Sequence, residues 1–160
     1  MFEYEVLSKD RAKNYSRMLE VLPHYLSKDD TMITNLANVS ALINFYVDAI
    51  NWVGFYIYDG SILTLGPFQG LPACTRIELG RGVCGVAAKT GETQVVEDVH
   101  SIENHITCDA ASQSEIVVPI YHKGSLVAVL DIDSPIKKRF GTLEKETFEA
   151  LVRAIVDKSL

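Results

Sequence analysis

Residues 115–133 read EIVVPIYHKGSLVAVLDID, and this stretch decides the fold. It consists of two runs of alternating apolar residues joined by residues 122–124, which is the pattern of a β-hairpin. A three-residue loop with glycine in the left-handed position is a common connection, and it predicts that Tyr121 pairs with Ser125. The residues on one face of the hairpin are then all apolar and are expected to pack on helices: Ile116, Val118, Ile120, Leu126, Ala128, Leu130 and Ile132.

The opposite face of the hairpin carries three acids. In the predicted register Val117 faces Val129 and Glu115 faces Asp131, and Asp133 lies two residues further along. A two-residue turn would move Glu115 to the other face, among the core aliphatic residues, so we prefer the three-residue turn. Neighbouring carboxylates repel one another and need a cationic ligand, a metal or a shared proton. The alternative is that the strand ends reach solvent, where such a cluster costs little.

Helical and strand patterns lie on both sides of this hairpin. One helix runs from Ala12 to Leu26 with a break at Pro23, a second follows an N-cap at residues 29–31, and a third is capped by Thr142. Shorter elements are predicted as strands at 52–58, 62–65, 75–79 and 93–97 and as a small helix at 82–89 closed by Gly91. These elements predict an α+β fold in a single domain, residues 1–160, with a central antiparallel sheet of about six strands flanked by N-terminal and C-terminal helices. Residues 1–10 are predicted to be a flexible N-terminal segment.

Composition excludes several functional classes. The chain has 160 residues, 48% hydrophobic and 22% charged, which suits one folded domain. Its 15 basic and 21 acidic residues give a net charge of −6, which disfavours binding to nucleic acid or an anionic membrane. The first residues lack the apolar core of a signal peptide, and no apolar run reaches transmembrane length. A cytoplasmic location is therefore expected.

The strand at residues 52–58 has an aromatic face. One face of the strand carries the aromatic residues Trp52, Tyr56 and Tyr58 together with Gly54, and the opposite face carries Val53. A strand glycine among aromatic residues often leaves space for a ligand. An ordinary aromatic core explains the same pattern equally well.

The chain has three cysteines, Cys74, Cys84 and Cys108. An odd number without a CxxC pair argues against both a secreted disulfide framework and a zinc knuckle. Cys84 lies in an apolar helix start and suits a buried position, although a helix N-terminus would lower its thiol pKa. Cys108 lies in a polar segment and is expected to be exposed and reactive, with a Cys–His dyad with His105 as one arrangement. A zinc site drawn from these cysteines, His100 and His105 matches no common spacing, so no metal site is predicted.

Five short motifs occur in order along the chain: NWVGFY at 51–56, LGPFQG at 65–70, RGVCG at 81–85, SEIVVPI at 114–120 and LDIDSP at 130–135. Together they closely resemble the motifs of free methionine-(R)-sulfoxide reductase, a family of small enzymes built on a GAF domain. The resemblance runs from about Trp52 to the final helix, and the three cysteines fall where that family has its three.

The resemblance implies a two-step thiol reaction on free methionine-(R)-sulfoxide. The thiolate of Cys108 attacks the sulfoxide sulfur, methionine leaves, and a sulfenic acid remains on the enzyme. A second cysteine then condenses with it to a disulfide, which thioredoxin reduces. The resolving role falls to Cys74 or Cys84, and the sequence does not choose between them.

The resemblance also implies which residues line the pocket. Glu115, Asp131 and Asp133 are expected along it, with Trp52 and Tyr56 around the methyl and sulfur end of the substrate. Independently, a carboxyl crowded by two others is a candidate to stay protonated near neutral pH and to supply the proton that the departing oxygen needs. The remaining carboxylates suit the substrate's α-ammonium.

The expected partners follow from the same resemblance. They are the free sulfoxide and thioredoxin as external reductant, with no bound cofactor, and a homodimer is expected by analogy with other GAF domains. The alternative function is a non-catalytic GAF module that binds a small molecule or senses thiol oxidation. Reductase activity would separate the enzyme from both.

Overall fold

The computed structural model describes residues 2–101 and 110–160 of the chain. Its helices are α1 (Arg11–Val21), α2 (Met32–Tyr46), α3 (Gly82–Thr90) and α4 (Thr142–Ser159), with 3₁₀ turns at Leu22–Tyr25 and Val99–Ser101. Its strands are β1 (Trp52–Tyr58), β2 (Leu63–Gln69), β3 (Arg76–Ile77), β4 (Gln94–Val96), β5 (Ser114–His122) and β6 (Ser125–Ser134). Antiparallel pairing joins them in the order β3-β2-β1-β6-β5-β4. The predicted α+β class and six-stranded antiparallel sheet are confirmed.

Each face of the sheet covers its own apolar core. The main core lies between the sheet and helices α1, α2 and α4, and it includes Val53 and Phe55 of β1. The second core lies on the other face, under α3, and includes Trp52 and Tyr56 of the same strand. The predicted alternation in β1 is therefore confirmed. None of the helices in the described ranges is long and apolar enough to cross a membrane.

The helix boundaries follow local capping chemistry. The predicted break at Pro23 is confirmed, because α1 ends at Val21 and Pro23 lies in the 3₁₀ turn that follows. Thr31 is the N-cap of α2, where its side chain accepts a hydrogen bond from the Thr34 amide. The prediction that Thr142 caps the last helix is wrong, because Thr142 is its first residue. The Glu144 carboxylate reaches back and accepts from the Gly141 amide at 3.0 Å, which does the capping instead.

The smaller strands differ from prediction at their ends. β3 and β4 are shorter than predicted, with two and three residues respectively. β2 continues to Gln69, well beyond the predicted end at residue 65. It does so because a bulge sets Gly66 and Pro67 against the single residue Phe55 of β1.

The hairpin of β5 and β6 turns through two residues rather than three. Lys123 and Gly124 have φ values of 49° and 79°, both left-handed, and His122 pairs with Ser125. This is the backbone that a two-residue hairpin turn requires, and glycine adopts it without strain. The predicted pairing of Tyr121 with Ser125 is therefore wrong.

A bulge in the same hairpin restores the predicted faces. The register shifts by one residue between Ile120 and Tyr121, so that Glu115 lies opposite Asp133 and Val117 opposite Asp131. The predicted pairs, Glu115 with Asp131 and Val117 with Val129, are displaced by two residues. A displacement of two keeps each side chain on its face, and the acids share the face that contacts α3.

A buried arginine ties the helices to the end of the sheet. Arg139 donates from Nη1 to Glu144 Oε1 at 2.8 Å and from Nη2 to the Tyr15 hydroxyl at 2.9 Å. The same guanidinium donates to the backbone carbonyl and to Oδ1 of Asp48. We call Arg139, Glu144, Tyr15 and Asp48 the arginine cluster. The buried cation is offset by the buried Glu144 carboxylate and by the exposed carboxylate of Asp48.

Candidate functional site

The acids of the β5–β6 hairpin meet the thiol of Cys84 beneath α3. Cys84, Glu115 and Asp131 each place one donor atom within 4.8 Å of the others, and the three residues are 4%, 5% and 6% exposed. We call these three residues the acid–thiol cluster. The alternative that the strand ends reach solvent is therefore wrong for Glu115 and Asp131, whereas Asp133 is half-buried.

Burial and mutual repulsion dominate the electrostatics of the cluster. Burial raises the pKa of Glu115 well above its ordinary 4.5, and the charge of Asp133 adds to that rise. Burial also raises the pKa of Asp131 well above 3.8, with Glu115 as the next cause. The two carboxyls interact directly through their side chains. Such a pair cannot ionise twice cheaply, so it holds a proton at a pH where isolated carboxyls have lost theirs.

Asp131 has an unused acceptor. Its Oδ1 atom is buried and has no hydrogen-bond partner among the described residues, although the side chain interacts with both Cys84 and Glu115. A buried acceptor without a partner is unfavourable in the folded protein. Within the described residues this oxygen can therefore still accept a hydrogen bond or bind a cation.

The Cys84 thiol does not behave as its helix position suggests. It is the third residue of α3, where the helix dipole favours a thiolate. Burial nevertheless raises its pKa well above 9.0, and the charges of Asp131 and Glu115 raise it further. The prediction of a lowered pKa is wrong, because burial among acids outweighs the dipole. The prediction that Cys84 is buried is confirmed.

A close backbone contact fixes the position of α3 over the acids. A Cβ atom added to Gly85 would lie 2.3 Å from the Glu78 carbonyl oxygen, so the segment before the helix packs directly on it. The Gly80 amide donates to the Gly85 carbonyl at 2.7 Å. Only glycine allows this approach at position 85, and the approach holds the neighbouring Cys84 against the sheet.

Aromatic residues form the wall beside the acids. The Trp52 ring stacks on Tyr56 and on Phe68, with centroids 6.0 Å and 5.3 Å away. On the sheet Trp52 lies opposite Asp133 and Gly54 lies opposite Asp131. The interpretation that Gly54 leaves space for a ligand is wrong, because an added Cβ would lie 2.4 Å from Phe68 Cβ and 2.7 Å from the Trp52 ring.

The aromatic wall and the acids interact electrostatically. Burial raises the pKa of the Tyr56 hydroxyl, and the charge of Asp131 is the next contribution. Tyr56 and Cys84 also belong to the same buried apolar cluster. Sequence reasoning did not assign Phe68 to this wall. Its place in the LGPFQG motif, on the strand next to β1, was the available signal.

The loop that carries Cys74 is attached to this wall. The Trp52 indole donates from Nε1 to the Leu71 carbonyl at 3.1 Å, and the Leu65 amide donates to the Thr75 carbonyl at 3.0 Å. Cys74 is disulfide-bonded, whereas Cys84 is a free thiol. The two cysteines considered for the resolving role are therefore in different states.

The structure brings together most of the predicted site residues. Trp52, Tyr56, Glu115 and Asp131 lie around Cys84, and Asp133 lies opposite both Trp52 and Glu115 on the sheet. The predicted nucleophile Cys108 and its alternative dyad partner His105 lie outside the described residues, so both remain predictions.

Comparisons with known proteins match this architecture over nearly the whole chain. A GAF domain profile matches residues 15–156. Free methionine-R-sulfoxide reductase of Escherichia coli (strain K12) is 46% identical over 127 residues, which cover 79% of this chain and 77% of that protein. The structure of fRMsr of Staphylococcus aureus in reduced form has a TM-score of 0.87 at 45% identity, covering 98% of each chain. The Neisseria meningitidis free methionine-R-sulfoxide reductase in complex with its substrate has a TM-score of 0.90 at 37% identity, covering 98% of this chain and 95% of that one.

Proposed function

The chain belongs to the GAF domain family and, within it, to the free methionine-R-sulfoxide reductases, and we propose that it reduces free L-methionine-(R)-sulfoxide to methionine. The observation that carries the proposal for this chain is the buried Glu115–Asp131 pair, in which Asp131 Oδ1 accepts no hydrogen bond from the described part of the chain. A free amino acid brings an α-ammonium group that such a pair can bind. The reaction also needs a proton, which the same pair can hold.

Substrate recognition uses both sides of the pocket. The α-ammonium pairs with the acids, and Asp131 contributes the oxygen that has no partner among the described residues. The methyl and sulfur end lies against Trp52 and Tyr56, whose stacked rings are already fixed by packing. A rigid wall reduces the ordering cost of binding.

The chemical step begins at Cys108. Its thiolate attacks the sulfoxide sulfur, and a proton from the Glu115–Asp131 pair reaches the oxygen. The sulfoxide S–O bond breaks as an S–O bond to the Cys108 sulfur forms, so methionine leaves and Cys108 carries the protonated oxygen as a sulfenic acid. The sulfoxide sulfur is reduced by two electrons and the cysteine sulfur is oxidised by two, so the step needs no metal or bound cofactor.

Cys74 is the better candidate for the resolving thiol. It is disulfide-bonded and half-buried in its loop, so its sulfur is placed where it can bond to a second cysteine. Cys84 is buried, and its raised pKa leaves little thiolate for attack. Condensation of the Cys74 thiol with the sulfenic acid forms a disulfide and releases water. Thioredoxin then supplies the two electrons that restore both thiols.

A coupled assay tests the activity. The reduced protein is mixed with NADPH, thioredoxin reductase and thioredoxin, and NADPH oxidation is followed with free methionine-(R)-sulfoxide, with the (S) epimer, or with no sulfoxide. Turnover with the (R) epimer alone is expected. Oxidation that does not respond to any sulfoxide would mean that the chain is a binding or sensing module.

Single-turnover measurements assign the cysteines. Cys108→Ser is expected to release no methionine. Cys74→Ser is expected to release about one methionine per protein and then stop, because its sulfenic acid cannot be resolved. Cys84→Ser is the matched comparison and is expected to turn over repeatedly with thioredoxin if it stays folded. If Cys84→Ser stops after one turnover and Cys74→Ser does not, the resolving role belongs to Cys84.

Three further features remain proposals for this chain. They are the homodimer, the use of thioredoxin rather than another dithiol, and the cytoplasmic location. Light scattering of the purified protein measures the first. Comparing thioredoxin with glutaredoxin and glutathione in the assay above measures the second, and fractionation of cells measures the third.

A further inference from the structure

We propose that the acid–thiol cluster is a binding site for a thiophilic divalent cation such as Zn²⁺. Cys84, Glu115 and Asp131 come from α3, β5 and β6, and one donor atom of each lies within 4.8 Å of the others. In a tetrahedral zinc site, metal–ligand bonds of about 2.0–2.3 Å place the ligand atoms about 3.5 Å apart. Small side-chain movements therefore bring these three atoms onto one ion.

A second observation, independent of the spacing, points to a missing ligand. Asp131 is 6% exposed, and its Oδ1 atom has no hydrogen-bond partner within the described ranges. The side chain interacts with both Cys84 and Glu115. A cation bound there satisfies the oxygen and relieves the crowding of like charges.

The ligand types select the class of metal. A thiolate favours soft or borderline ions such as Zn²⁺ and Cd²⁺, whereas Mg²⁺ and Ca²⁺ take oxygen ligands alone. Three protein ligands leave a fourth position for water, as in zinc sites that remain open. Binding displaces the Cys84 thiol proton and any proton held by the carboxyl pair, so no oxidant or reductant is required.

The site escapes sequence reasoning because its ligands are far apart in the chain. Zinc motifs are recognised by short spacings between cysteines and histidines. Here two of the three ligands are acids, and a helix and two strands bring them together. The histidines considered in the sequence analysis are not among the three.

Metal and substrate are expected to exclude one another. This part of the inference rests on the proposed function, because it assumes that the substrate's α-ammonium occupies the same carboxylates. A bound Zn²⁺ then acts as a competitive inhibitor. Zn²⁺ binding itself does not depend on the enzyme's reaction.

Cadmium provides the direct test, because a Cd²⁺–thiolate bond has a charge-transfer absorption in the ultraviolet. The background is the reduced Cys74→Ser/Cys108→Ser double variant, in which Cys84 is the only remaining cysteine. Titration with Cd²⁺ is expected to give this band with one ion per chain. Adding Cys84→Ser is expected to remove it. A missing band in the double variant, or a band that survives Cys84→Ser, overturns the site.

Carboxylate variants and calorimetry with Zn²⁺ complete the test. Removing a group that merely supports a metal ligand costs about 10–100-fold in affinity, so Asp131→Asn and Glu115→Gln are expected to cost at least as much. Glu97→Gln, a surface acid outside the cluster, is the matched control. Near-ultraviolet circular dichroism confirms that each variant is folded. Unchanged affinity in both cluster variants overturns the site.

Competition separates this inference from the proposed function. Free methionine is expected to weaken the apparent Zn²⁺ affinity of the wild-type protein. If binding depends on Cys84 but free methionine does not compete, the shared position is wrong, and so is the placement of the ammonium proposed above. If no Cys84-dependent binding occurs, the metal site is wrong and the reductase activity stands or falls by its own assay.

Discussion

Two clusters within the described residues bury carboxyl groups in opposite electrostatic surroundings. In the arginine cluster, Arg139 donates hydrogen bonds to Glu144, Tyr15 and Asp48. In the acid–thiol cluster, the groups that act on the Asp131 carboxyl are another acid and a thiol. Burial opposes the charge of Glu144, yet hydrogen bonds from Gly141, Tyr15 and Arg139 keep its pKa below the ordinary value.

This electrostatic difference indicates that the arginine cluster supports the fold, whereas the acid–thiol cluster suits ligand binding. Buried charges of opposite sign offset one another in the arginine cluster, so removing one of them leaves its partner buried and uncompensated. Buried acids beside a thiol are unfavourable in the absence of a ligand, and such groups are concentrated at functional sites. Removing a group is therefore expected to damage stability in the first cluster and ligand binding in the second.

The largest expected effect is on stability, from the loss of the buried arginine. Arg139→Met leaves the Glu144 carboxylate buried without its cation, and breaking a buried ion pair costs about 3–5 kcal/mol. Urea unfolding measures the loss. Glu115→Gln is the matched change in the other cluster and is expected to leave the free energy of unfolding unchanged or to raise it. A large loss of stability in Glu115→Gln, with little in Arg139→Met, would reverse the comparison.

The next effect concerns the substrate's charge. N-acetylation of free methionine-(R)-sulfoxide removes the α-ammonium and adds little bulk. Losing one partner of a buried charge pair costs about 2–5 kcal/mol, so kcat/KM is expected to fall by about 30-fold to several thousand-fold at about 1.4 kcal/mol per tenfold. Equal kcat/KM for the two compounds would show that the acids do not bind the amino group, and would suit a reductase of protein-bound methionine sulfoxide.

The two clusters are expected to respond oppositely to pH. The pKa of Glu115 is raised in the folded protein. Its contribution to the free energy of unfolding is therefore fully present below pH 4.5 and is lost as the pH rises through the folded pKa. The pKa of Glu144 is lowered in the folded protein. Its contribution to the free energy of unfolding is therefore present above pH 4.5 and is lost as the pH falls through the folded pKa. Unfolding free energies of Glu115→Gln and Glu144→Gln relative to wild type, measured across pH, should therefore change in opposite directions. Parallel pH profiles would contradict the assignment.

A smaller effect is expected from one hydroxyl of the arginine cluster. The Tyr15 hydroxyl bonds to Glu144 at 3.1 Å and to Arg139 at 2.9 Å. Tyr15→Phe removes these bonds, and a buried hydrogen bond contributes about 0.5–1.5 kcal/mol. Thermal unfolding measures the change, with Tyr121→Phe as the control at a more exposed position. A control that loses as much stability as Tyr15→Phe would show that the cluster adds nothing specific.

The sequence predicted which strand face each acid of the site occupies better than it predicted the pairing of β5 with β6. Alternation gave the two faces of each strand, and keeping Glu115 away from the core aliphatic residues placed it on the face of Asp131 and Asp133. The pairing was displaced by two residues, because it depends on a tight turn at Lys123 and on a bulge that the alternation does not reveal.

The environment of each side chain was harder to predict than its position. The dipole argument for Cys84 gave the wrong direction of pKa change, because the acids beside it come from distant strands. Gly54 was interpreted as an opening, but Phe68 of the next strand fills the space. In both cases tertiary neighbours decided the outcome, and local sequence does not contain them.

The most direct test of the central claim is a titration of the Glu115 and Asp131 carboxyls by carbon-13 NMR in the reduced protein, with and without free methionine. We expect them to titrate above 4.5 and 3.8, as a coupled pair, and free methionine to lower both midpoints because its α-ammonium supplies a cation. Midpoints at the ordinary values that do not move with methionine would contradict it.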